Sequence, residues 1–97
     1  METRFEWDPV KAKSNVLDHG VSFKTAAGIF SDPFVVVQQN VADDGEQRYH
    51  AIGATKSHVL LLVVFVDRSQ PEIEIIRIIS ARKADHYERS AYEDQFR

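Results

Sequence analysis

The apolar positions follow two helical patterns, then four β-type runs, then one more helical pattern. In "FEWDPVKAKSNVLDHG", Asp8 stands where a helix N-cap belongs and Pro9 at the first helical position, where its missing N–H costs nothing. Gly20 suits the left-handed residue that closes such a helix, which predicts a helix from Pro9 to Asp18 or His19. Its apolar stripe, Val10 and Leu17, is thin. "VSFKTAAGIFSDP" repeats the logic: Ser22 caps, Phe23, Ala26, Ala27 and Phe30 fall at helical spacing, and Ser31 to Pro33 ends the element. Arg4 to Trp7 reads only as a short extended piece ahead of the first helix.

β-type patterns fill the middle. Phe34 to Gln38 is a short β-branched run, and Asn40 to Glu46 a polar turn. Gln47 to Thr55 alternates, with Arg48, His50 and Ile52 on one side and Tyr49, Ala51 and Gly53 on the other. Val59 to Val66 is apolar on both faces, which places it centrally. Ile73 to Ala81 alternates again, with Arg77 among Ile73, Ile75 and Ile79. Asp85, with Glu88 three residues on, forms a capping box that opens the last helix. The predicted fold is α+β: two N-terminal helices, a four-stranded antiparallel meander and a C-terminal helix. The helices are expected on one face, leaving the other at least partly open.

Length and composition set bounds. Ninety-seven residues without repeat or linker predict one domain spanning 1–97. An apolar fraction of 43% and a charged fraction of 28% are those of an ordinary globular protein. No cysteine is present, so disulfides and thiolate chemistry are excluded and a reducing cytoplasm is the expected setting. No apolar run is long enough to span a membrane, and no membrane partner is expected. The net charge of −3 excludes binding nucleic acid through global charge, so a few clustered arginines would have to carry it.

The candidate chemistry is basic. Arg48, Arg77, Arg82 and Lys83 fall on or beside strands, and Arg82 and Lys83 precede a helix N-terminus. Guanidinium groups hold phosphate bidentately and stay charged. The competing reading is structural: Arg77 paired with Glu46, Glu72 or Glu88, and Arg82 and Lys83 solvated. Lys11 and His19 lie nearly on one face of the first helix. The four histidines have no metal-ligand spacing, and no phosphate loop or cofactor motif is present, so no cofactor or metal is expected.

Taken in order, the motifs resemble those of the BrnT family, toxins of bacterial type II toxin–antitoxin modules. The resemblance rests on Phe5, Trp7, Asp8, Lys11, Asn15, the run His19 to Phe23, Ala26, Phe30, Asp32 and Pro33. It continues through Gly45, Glu46, Arg48 and Gly53 to "IRIISARKA", Glu88, Tyr92 and Glu93, covering nearly the whole chain. Asp85 stands where the family usually carries threonine, which preserves the cap. The resemblance implies a RelE-like two-layer fold and a metal-independent ribonuclease that arrests translation. It also implies a BrnA-type antitoxin with a ribbon-helix-helix part, through which alone operator DNA would be bound. On this reading Arg77 and Arg82 stabilise the phosphorane and Arg48 makes a second phosphate or base contact. Proton transfer falls to His19, Lys11 or Tyr92, in that order. The alternative is a non-catalytic module of the same fold that docks an acidic or nucleic-acid partner. A regular strand sets Arg77 and Arg82 on opposite faces, so they share a site only if the chain bends near Ser80.

Overall fold

A computed structural model describes residues 1–97. Its elements are strand β1 (Glu2–Glu6), helix α1 (Pro9–His19), helix α2 (Phe23–Ala27) with a 3₁₀ turn (Gly28–Ser31), strands β2 (Val36–Val41), β3 (Gln47–Ala54), β4 (Leu60–Asp67) and β5 (Ile73–Lys83), and helix α3 (His86–Glu93). The predicted caps form. The Asp8 carboxylate accepts from the Val10 amide, Gly20 is left-handed at φ 69°, and Asp85 and Glu88 complete the capping box. The second helix breaks into α2 and the 3₁₀ turn at Gly28, ahead of the Asp32–Pro33 stop.

The expectation of four antiparallel strands is corrected to five. The sheet order is β1-β5-β4-β3-β2, and β1 lies parallel to β5, with Phe5 beside Ile76 and Glu6 beside Arg77. The segment expected as a short extended piece is thus an edge strand. β1 is exposed apart from half-buried Phe5, so its pattern gives no period-two signal. β2 also runs later than expected. Asn40 and Val41, read as turn, pair with Arg48 and Gln47, because the ladder from β3 supplies what local propensity does not.

Helix placement is corrected too. α1, α2 and the 3₁₀ turn cover one face, where Val21, Phe23, Ala26 and Ile29 pack on Ala51, Leu61, Val63, Phe65, Ile76, Ile78 and Ala81. α3 covers part of the opposite face, where Tyr92 and Ala84 pack on Ile52 and Leu62. β4 therefore feeds two cores, which is why Val59 to Val66 reads as apolar throughout. The 3₁₀ turn sits so close to β3 that a Cβ at Gly53 would lie 3.1 Å from the Ile29 Cβ and 3.2 Å from its carbonyl oxygen.

One irregularity decides the layout of the open face. Val64 pairs with Ser80 but Phe65 pairs with Ile78, so Ile79 is an extra residue, a β-bulge on β5. The bulge inverts the alternation. Ile76, Ile78 and Ala81 all enter the helix-covered core, and Arg77, Ser80 and Arg82 all face the other way.

Candidate functional site

Beyond α3, the second face of the sheet is uncovered. The register lines up its side chains in rows. Gln38 pairs with His50, His50 with Val64, and Val64 with Ser80. One step along, Arg48 follows Asn40 across β2, and Arg77 pairs with Val66. One step the other way, Ile52, Leu62 and Arg82 form the row that α3 begins to cover. Arg48, Arg77 and Arg82 thus share one face, and the bulge at Ile79 resolves the parity conflict of a regular strand.

All three arginines hold carboxylates. Arg77 contacts Glu6 at 3.3 Å; the partner is the neighbouring edge strand's residue, not Glu46, Glu72 or Glu88. Arg48 contacts Glu46 at 3.3 Å and Asp44 at 3.5 Å. These single-contact, partly exposed pairs contribute about 0–1 kcal/mol each, so a phosphate can displace them. Arg82 differs. It forms a bidentate pair with Glu88 at 2.8 and 2.9 Å, and Glu88 also accepts from the Asp85 amide at 2.8 Å. The hydrogen bonds that Arg82 donates to Glu88 raise its pKa further above its already high value. Arg82 therefore ties β5 to the start of α3, rather than being solvated. Lys83 is exposed and pairs with Leu61, on the helix-covered side.

The proton-transfer candidates are not gathered with these arginines. Lys11 and His19 are exposed residues of α1, whose Ala12 packs on the first core. The sheet separates that layer from the arginine face. Tyr92 lies on the arginine side but is buried under α3, and its hydroxyl donates to the Asp32 carboxylate at 2.7 Å. Asp32 also accepts from the amides of Ala54 and Phe34. Tyr92 is therefore a pin holding α3 to the segment before β2.

Burial first, and the bond to Asp32 second, push the Tyr92 pKa up to about 12. For Asp32, burial acts upward, but the hydrogen bonds from Ala54, Phe34 and Tyr92 outweigh it and hold the carboxyl below its ordinary value. The signs are opposite. Tyr92 is raised in the folded state, so its contribution is full below its unfolded value near about 10 and is lost as pH rises through about 12. Asp32 is lowered, so its contribution is present above about pH 4 and lost as pH falls further. Urea midpoints measured against pH should form a plateau from about pH 5 to 9 and fall on both sides. Tyr92→Phe should flatten the alkaline fall; an unchanged alkaline slope would contradict the role of the pin.

Sequence reasoning passed over His50. It is half-buried on the open face, two residues along β3 from Arg48 and in the Ser80 row. The alternation of β3 already placed it with Arg48, but only the register of β4 and β5 sets it between the other arginines. On the helix-covered side a cleft of about 540 Å³ is lined by Phe5, Phe30, Tyr49 and Phe65, with Asp67 and Glu74. It offers acid and no cation, so it does not suit a phosphate backbone. No three His, Asp or Glu side chains come together as a metal-binding group.

The family model for the ribonuclease toxin BrnT of type II toxin–antitoxin systems matches residues 7–88. A 1.1 Å crystal structure of the Brucella abortus ribonuclease toxin BrnT superposes with a TM-score of 0.65 at 25% identity, covering 89% of this chain and 100% of that one. No curated protein matches the chain.

Proposed function

The chain belongs to the family of BrnT ribonuclease toxins of type II toxin–antitoxin systems, and from that footing we propose that it cleaves RNA on the open face of its sheet and so inhibits translation. The observation that carries this reading is the bulge at Ile79, which brings Arg77 and Arg82 to the face that already holds Arg48. Arg77 and Arg48 stand two strands apart, about 10 Å. Long guanidinium side chains from both sides can close on one phosphodiester and stabilise the charge that develops on its oxygens. Arg82, locked to Glu88, sets the position of α3 at the edge of the site and offers its remaining donors to a neighbouring phosphate. An uncovered surface, rather than a closed pocket, suits an extended single strand.

The net charge of −3 keeps affinity for free RNA low, and four carboxylates compete for the same arginines. A BrnA-type antitoxin with a ribbon-helix-helix part neutralises the toxin by covering this face or the apolar surface beside it, and operator DNA is reached through that partner. The reaction is taken to need no metal. Purified protein should cleave single-stranded RNA in EDTA, and added antitoxin should stop it. Cleavage that appears only with a divalent ion would remove metal independence. No cleavage, with no toxicity on expression, would favour a non-catalytic binding module.

A further inference from the structure

We infer that His50 is the general base of this site; the inference rests on the ribonuclease reading above. Cleavage through the 2′-hydroxyl needs a group that removes its proton beside the arginines that hold the phosphate. Lys11 and His19 lie across the sheet, and the Tyr92 hydroxyl is committed to Asp32. His50 is half-buried in the uncovered part of the arginine face. Its ring stands about 7 Å along β3 from Arg48, and Ser80 faces it about 10 Å away across β4. The Arg77 row lies on one side of it and the Arg82 row on the other.

Its surroundings leave the imidazole available. β2 presents Gln38 and β4 presents Val64, neither charged. The charged groups facing it are Arg48 from β3 and Arg77 and Arg82 from β5. Their carboxylates, Glu46, Asp44, Glu6 and Glu88, are engaged by those arginines. Histidine is also the side chain whose ordinary titration falls in the working range of pH.

The step balances without a further reagent. Neutral His50 takes the 2′-hydroxyl proton as the 2′-oxygen bonds to the adjacent phosphorus. The bond from phosphorus to the 5′-oxygen breaks, and that oxygen takes a proton from water. The hydroxide so formed recovers the proton from the imidazolium. The products are a 2′,3′-cyclic phosphate end and a 5′-hydroxyl end, and nothing is oxidised or reduced.

The test uses the full chain, EDTA and a labelled single-stranded RNA, with an all-2′-deoxy copy as control. His50→Gln should lower kcat by tenfold or more and leave KM within about threefold, because general-base catalysis contributes about 10²–10⁴ and the arginines still hold the phosphate. The fall of wild-type activity at low pH, where imidazole takes a proton, should be absent in the variant. His50→Ala should regain rate on adding free imidazole, a readout that a misfolded or merely loosened variant does not give. A smaller loss in kcat, a retained acid limb or no rescue would overturn the assignment and leave the ribonuclease reading standing. Wild-type protein that cleaves no RNA, or cleaves the 2′-deoxy copy equally, would remove the chemistry itself and His50 with it.

Discussion

Replacing Arg77 with alanine should lower RNA cleavage by about 10³-fold while the protein stays folded, the upper part of the range for removing one preorganised donor to a developing charge. Arg77 projects from β5, inside the sheet between β1 and β4, so its backbone is fixed on both sides. Its one ion-pair partner, Glu6, belongs to an edge strand, and both side chains are partly exposed at 33% and 45%. Such a pair contributes under about 1 kcal/mol, so its loss moves the melting temperature by only a few degrees. The side chain is thus worth little to the fold, so a large loss of cleavage would report on the proposed phosphate contact rather than on unfolding. Initial rates on single-stranded RNA, with circular dichroism melts of the same samples, separate the two effects. Glu6→Gln is the matched control, since it breaks the same ion pair and should keep cleavage. An Arg77→Ala protein that cleaves at the wild-type rate would remove Arg77 from the site.

The largest effect on stability should come from Asn15→Ala, a loss of about 3 kcal/mol or more. Asn15 is the one polar side chain in the core, 6% exposed. Its amide donates to the carbonyls of Val21 and Ala81, both at 2.8 Å, and its oxygen accepts from the Ala81 amide at 3.1 Å. β1 has ended by this level, since its last pair is Glu6 with Arg77. The Asn15 carboxamide takes the place of the missing strand and satisfies both backbone groups of Ala81. Alanine would leave three buried partners unpaired, each costing about 1–3 kcal/mol if water cannot reach it. For a domain whose total stability is about 5–15 kcal/mol, a fall in melting temperature of more than about 10 °C is expected. Because Ala81 lies two residues beyond the bulge, the same variant should also loosen the placement of Arg82. A melt within about 3 °C of wild type would mean that water or a backbone shift replaces the carboxamide.

Local physics accounts for what the sequence made legible. Asp8–Pro9, Ser22, Gly20 and the Asp85–Glu88 box each act within one turn of chain, and each element boundary they mark is found. The alternation of β3 showed that Arg48 and His50 share a face, because side chains alternate strictly along a regular strand. What failed needed a partner from elsewhere in the chain. β1 is a strand because β5 offers it a ladder, and α3 lies opposite α1 because its apolar side finds Ile52 and Leu62.

The sequence by itself determined the helices, the central strand, the absence of thiol chemistry and the membership that its motifs announce. The tertiary structure alone decided which charges meet. One extra residue at Ile79 reverses the parity of β5, so that Arg77 and Arg82 share a face. Three strands in register set His50 between them, and the sheet itself stands between that face and the Lys11 and His19 of α1. A bulge leaves no composition or periodicity of its own in an isoleucine-rich run. It exists because the β4 ladder and the core on the far side hold Ile76, Ile78 and Ala81 inward together, and the arginines turn outward as the consequence.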